Sequence, residues 1–131
     1  MTDQPTAPFA TLAGEQFVAL TTARKSGESA STCVWFAEEG GRLYVTTSRE
    51  AGKVKRLVND PTAAVAPSDQ MGNVHGAPIA VRGRLLPDAD FPTAAGALER
   101  KYGEQYRQMT QQMDGARPAG SRVFLEFVPT E

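Results

Sequence analysis

One cysteine, Cys33, and one histidine, His75, are all that this 131-residue chain has of the two side chains that most often ligate transition metals. An internal disulfide is therefore excluded, as is a zinc site built from several cysteines or histidines. A Ser-His-Asp arrangement would have to use His75, which lies in the Gly- and Pro-containing stretch "MGNVHGAP", and no serine near it has a nucleophile-elbow context. Charge of one sign is lacking too: 14 Lys+Arg stand against 15 Asp+Glu, a net charge of -1. With no global positive field to hold a phosphate polymer, and with aromatics scattered at 8%, nucleic acid is not an expected partner. Long apolar runs are missing, and "MTDQPTAPFATLAG" has no basic region leading into an apolar core. The expectation is a soluble chain with no membrane partner, in a reducing cytoplasm.

What is present suits one domain. At 14.0 kDa and 40% hydrophobic residues, the chain can bury a single core but not two. Residues 1–8 are polar with two prolines and read as a loose tail, leaving 9–131 as the domain. A short helix is expected in "FATLAGEQF", with Phe9, Leu12 and Ala13 on one face. Six strands follow from alternation and β-branched content: "FVALTTAR", "SASTCVWFA", "RLYVTTS", "TAAVAPS", "PIAVRGRLL" and "RVFLEFV". In the second, Ser29, Ser31, Cys33 and Trp35 fall on one side, and Ala30, Thr32, Val34 and Phe36 on the other. Cys33 there reads as a small buried hydrophobe, and Trp35 as core filler or the wall of a planar ligand.

Two helices interrupt the strands. "DADFPTAAGALERKYGEQYRQMTQQMD" carries Phe91, Ala95, Leu98, Tyr102, Tyr106, Met109 and Met113 at steps of three and four, with Asp90 as its N-cap. It is a packing helix, and Gly96 and Gly103 within it suggest close approach of another backbone. Strands in hairpin order with helices at the ends predict a mainly β protein: a small six-stranded antiparallel barrel flanked by helices.

The other helix is the stretch with chemical content. "TTSREAGKVKRLVNDP" crowds Arg49, Lys53, Lys55 and Arg56 together, with Thr47 and Glu50 spaced as a capping box and Val54, Leu57 and Val58 as an inner stripe. Lys53 and Arg56 should share one exposed face. Amides at the helix start, the hydroxyls of Thr46, Thr47 and Ser48, and these cations together suit a phosphate. A solvated basic face on an ordinary surface helix is the competing reading. No convincing general acid, base or nucleophile accompanies them, so any catalysis needs a borrowed cofactor.

The run from "FVALTTARKSGESASTCVWFAEEGGRLYVTTSREAGKVKRLVNDPTAAVAPSD" through "HGAPIAVRGRLL" to "RVFLEFVP" resembles the split β-barrel flavin- and deazaflavin-dependent oxidoreductases, the pyridoxamine-phosphate-oxidase-like class. The resemblance covers about Thr11 to Pro129. It implies an FMN-binding type of split barrel and a homodimer with the cofactor between the subunits. Val34 and Trp35 would then line the ring pocket, and Thr46, Thr47 and Ser48 would contact the ribityl and phosphate portion. Lys53, with Lys55 or Arg56, would pair the phosphate, and the segment from Pro78 to Arg82 would reach in across the interface. The Lys-Val-Lys-Arg-Leu form is most similar to members that use the deazaflavin coenzyme F420, with FMN as the alternative. Arg24, Lys25, Arg82, Arg84 and Arg122 could meet its acidic tail. The implied reaction is hydride transfer to an unsaturated or conjugated small organic substrate, with a non-catalytic cofactor-binding protein as the other reading. Because the sequence stops soon after the last strand, vitamin B6 oxidation is not expected.

Overall fold

The computed structural model describes residues 9–24, 26–116 and 121–130, so the expected tail at 1–8 and the cation Lys25 lie outside it. Its strands are β1 (Phe17–Ala23), β2 (Ser29–Trp35), β3 (Ala37–Glu39), β4 (Arg42–Ser48), β5 (Thr62–Ser68), β6 (Ile79–Leu85) and β7 (Arg122–Pro129). All pair antiparallel in one sheet of order β2-β1-β5-β6-β7-β4-β3, curled so that β2 comes near β4. Helix α1 (Gly52–Asn59) follows β4, while α2 (Phe91–Tyr102) and α3 (Glu104–Ala116) lie between β6 and β7. Among the described residues no helix is long and apolar enough to cross a membrane.

The sheet has seven strands where the pattern predicts six. The difference arises at Phe36, where "SASTCVWFA" bends: β2 pairs with β1 through Trp35, and Ala37 onward pairs instead with β4. Alternation cannot report that bend, because Phe36 is as apolar and as buried as a strand residue would be. A side chain from α2 fixes it. The Phe36 N–H donates to the Tyr102 hydroxyl at 3.1 Å, and that hydroxyl lies 2.9 Å from the Phe36 carbonyl and 2.5 Å from the Gln16 carbonyl.

Inside the curl, Val18, Leu20, Phe36, Leu43, Val45, Val65, Val81, Leu125 and Phe127 form the main core. Each such side chain contributes roughly 1.5–3 kcal/mol on leaving water. Gly83 occupies an inward position of β6 between the exposed Arg82 and Arg84; a Cβ there would lie 2.4 Å from the Phe127 ring and 3.2 Å from Leu57. Glycine at that register thus lets α1 and β7 close on β6. A second core, with Tyr44, Leu86, Ala94, Leu98, Tyr102 and Phe124, seats α2 on the outside of the sheet.

Several local expectations change. The N-terminal helix is only a three-residue 3-10 turn, Ala10–Leu12, which buries Phe9 and Leu12 but leaves Ala13 exposed. The long packing helix is two helices, broken at Gly103 with φ +60°, a left-handed conformation that side chains other than glycine rarely adopt. Its apolar stripe nonetheless continues across the break through Tyr102, Tyr106 and Met109; the side chain of Met113 lies outside the described residues. At Gly96 the nearest atoms to a built Cβ are the Arg100 guanidinium, not another backbone.

Candidate functional site

The segment between β4 and α1 differs from a capping box. Helix α1 begins at Gly52 with Ala51 as its N-cap and no side-chain cap, while Thr47 and Ser48 remain in β4. Glu50 does not reach back to Thr47; its own N–H donates to Ser48 Oγ at 3.4 Å. The chain spends Arg49 to Ala51 turning, and the Ala51 N–H closes that turn onto the Ser48 carbonyl at 3.0 Å. Val54 and Leu57 are the buried stripe, whereas Val58 is 70% exposed.

This turn forms one wall of a cavity of about 540 Å³, within the range of small-molecule sites. The end of β2 brings Cys33, Val34 and Trp35, the end of β4 brings Thr46, Thr47 and Ser48, and α1 brings Lys53. All but Cys33 belong to the ten residues expected at a cofactor site, so six of those ten are gathered here from three separate elements. Phe17, Glu50, Ala51, Gln70 and Met109 also line it and were not anticipated. Phe17 carried a signal, since it sits directly across from Trp35 in a β1-β2 hairpin. Gln70 and Met109 carried none, because only the curl of the sheet and the placement of α3 bring them there.

The cavity is chemically divided. One end is apolar and aromatic: Trp35 stacks on Tyr102 with centroids 4.4 Å apart at 25°, and meets Phe17 edge-on at 6.4 Å and 73°. Trp35 is therefore held by the second core and still forms cavity wall. The other end is polar. Lys53 Nζ donates to Thr47 Oγ1 at 3.5 Å, Thr46 Oγ1 donates to the Val123 carbonyl at 3.0 Å, and Thr47 and Ser48 are buried. Burial first, and then the charge of Arg56, hold the Lys53 ammonium below the ordinary lysine range. An anion bound beside it would reverse that shift. The Gly52 and Lys53 amides open α1 and have no carbonyl one turn back within the helix. Glu50 sets a carboxylate on the same wall, so the end is polar rather than strongly positive.

Lys55 and Arg56 do not join Lys53. They line a separate hollow of about 430 Å³ with Arg24, Ser26, Gly52 and Asn59. Arg56 Nε donates to the buried Thr22 Oγ1 at 2.5 Å, so the expected shared face is divided by the helix itself. Pro78 is exposed, and Arg82 borders another hollow with Pro61, Arg84 and Glu126; neither lines the Lys53 cavity of this chain. Arg84 and Arg42 bind Glu126 at 2.8 and 3.0 Å. Burial raises the Glu126 carboxyl, but those hydrogen bonds outweigh it and hold the group below the usual carboxylate range. Arg122 is paired with Asp114 at 3.0 Å. His75 is a loop fastener, with Nε2 2.9 Å from Glu15 Oε1 and the backbone N–H of the same residue donating to the Pro67 carbonyl.

Known structures share this architecture. The chain is similar to an F420 reductase (24% identity over 98% of this chain and 97% of that one, TM-score 0.61). It is similar as well to a FAD-binding protein from Mesorhizobium loti (15% identity, 100% and 93% covered, TM-score 0.67). The heme storage protein HutZ from Vibrio cholerae has the same fold (13% identity, 90% and 84% covered, TM-score 0.69). At these identities the likeness is one of fold. Among curated proteins none matches the chain. The family model for pyridoxamine 5'-phosphate oxidase, however, matches residues 7–131, nearly the whole sequence, and the chain belongs to that family.

Proposed function

We propose that the chain is an oxidoreductase that binds a flavin-type cofactor in the Lys53 cavity, coenzyme F420 in preference to FMN. The observation that carries this reading is the division of one cavity into an aromatic end at Trp35 and Phe17 and a hydroxyl- and ammonium-bearing end at Thr47, Ser48 and Lys53. A planar ring with a phosphorylated side chain has the same two-part polarity. Thr47, Ser48, Lys53 and the first amides of α1 would hold the phosphate, and Val34 and Trp35 would hold the ring. The adjoining hollow with Arg24, Lys55 and Arg56 would accept carboxylates of an acidic tail, which F420 has and FMN does not. A bound deazaflavin supplies hydride to a conjugated organic acceptor. The chain's part is to orient ring and substrate and to exclude water.

The same reading includes a homodimer, with the segment from Pro78 to Arg82 lying over the neighbouring subunit's cavity. Pro78 and Arg82 are exposed on this chain and are not part of its own cavity lining, as such a role requires. Absorbance of the protein after mixing with F420 or FMN and desalting tests cofactor binding. Retention of F420 supports the reading, FMN alone moves it to the flavin branch, and retention of neither removes it. A hydride-transfer assay on the reduced complex then separates an enzyme from a protein that only holds the cofactor.

A further inference from the structure

A second hollow, of about 350 Å³, lies away from the Lys53 cavity and shares none of its lining residues. Phe9, Leu12, Ala13, Gly14 and Phe36 give it apolar walls, and Glu38 and Lys101 are its charged members. Phe9, Leu12 and Phe36 are 3%, 1% and 1% exposed, so these walls are part of the packed core rather than a yielding surface. Lys101 closes the last turn of α2 and places its Nζ 3.4 Å from the centroid of the Phe36 ring and 5.1 Å from that of Tyr102. Much of its side chain is exposed, but the amine itself lies against the ring.

Other charges around this amine are few. Glu15 follows the 3-10 turn and acts on it at a distance, Glu38 on β3 accepts a hydrogen bond from the Gly41 N–H at 3.0 Å, and Tyr102 presents its ring. No salt bridge to Lys101 exists among the described residues. The C-terminal end of α2 favours the ammonium. Burial acts against it more strongly, and brings the Lys101 amine down to about 8. At pH 7 roughly a tenth of this amine is thus uncharged, on an apolar floor and next to an open cavity. An anionic ligand would meet Glu38 there, whereas a neutral carbonyl compound would not.

We propose that this hollow is a carbonyl-ligand site, in which Lys101 Nζ condenses reversibly with a small apolar aldehyde seated on Phe9, Leu12 and Phe36. The nitrogen lone pair forms the C–N bond to the carbonyl carbon while the C=O π pair moves to oxygen. That oxygen departs as water with one hydrogen from the amine and one proton from solvent, leaving a protonated imine. No electron is gained or lost, and the charge brought by that proton lies at nitrogen over the Phe36 ring, where a cation–π attraction holds it. The site is independent of the cofactor reading, since the two cavities are separate.

Benzaldehyde with cyanoborohydride tests it on the full-length protein, because the reductant traps each imine as a stable benzylamine that peptide mass spectrometry can place. At pH 8 an amine with its midpoint near 8 has about a hundredfold more neutral form than one at 10.5. Lys101 should therefore label at least ~10-fold faster than Lys55, with a rate that saturates in benzaldehyde, and F420 should leave Lys101 labelling unchanged. Phe36→Leu should remove the saturation and slow the reaction while circular dichroism shows the fold intact. Lys101→Arg should abolish the fast phase. If Lys101 labels no faster than Lys55, or with a rate strictly linear in aldehyde, the amine is an ordinary surface group and the proposal fails.

Discussion

At the scale of single residues, the basic stretch shows how one motif separates into two roles once it is folded. Lys53 points to the cavity and Arg56 to Thr22, although they are three apart on one helix, because Gly52 leaves room for the Arg56 guanidinium to fold back over the helix start. Arg56→Ala should therefore act mainly on stability. It strips the partner from a hydroxyl that is 2% exposed, which costs about 1–3 kcal/mol. Lowered thermal melting with nearly unchanged affinity for FMN, which lacks the acidic tail, is the expected result, and an unchanged melting temperature would refute the structural role. The sequence made the chemistry of this segment legible, since hydroxyls, ammonium and helix start all reach the same wall. It could not apportion the cations. That assignment depends on where α1 begins, and the helix starts at Gly52 rather than at the Thr47 that the capping pattern favours.

At the scale of elements, Tyr102 connects three of them. It comes from α2, stacks on Trp35 of β2, and holds both backbone polar groups of Phe36 where the chain leaves β2 for β3. Burial raises its hydroxyl to about 12, well above the ordinary tyrosine value of 10.0. A folded-state pKa above the unfolded one means that its contribution is complete below pH 10 and lost as pH rises toward 12. Wild-type stability should fall across that window, and Tyr102→Phe should be less stable at pH 8 but show a flatter decline above pH 10. Equal slopes for the two proteins in denaturant titrations at several pH values would contradict this linkage. Strand positions were readable from alternation and helix faces from their period. The Phe36 bend and the Gly103 break were not, because each depends on a tertiary partner or on a backbone angle that the apolar pattern passes through unchanged.

For the whole molecule, the sheet order β2-β1-β5-β6-β7-β4-β3 sets β2 and β4 near opposite edges, and the curl of the sheet brings their ends together, with twelve residues between Trp35 and Ser48. The resemblance in the sequence anticipated the class of fold, and six of its ten expected site residues meet in one cavity. Lys55, Arg56, Pro78 and Arg82 lie elsewhere on the chain. Exposed apolar side chains at Met71 and Val74 flank the loop that leads to Pro78, as a subunit contact there would require. Sedimentation analysis should show a dimer, and Val74→Glu should shift it toward monomer and weaken cofactor retention together. A wild-type monomer that still retains cofactor would show that the cavity is complete within one chain.

The most direct test of the central claim is a calorimetric titration of F420 and of FMN into the wild-type protein and into Lys53→Ala. A charge-assisted hydrogen bond contributes about 1.5–3 kcal/mol, so loss of the ammonium should weaken binding roughly 10- to 150-fold while thermal melting stays nearly constant. Binding of neither cofactor to the wild-type protein, or equal affinity in the two proteins, would contradict the account.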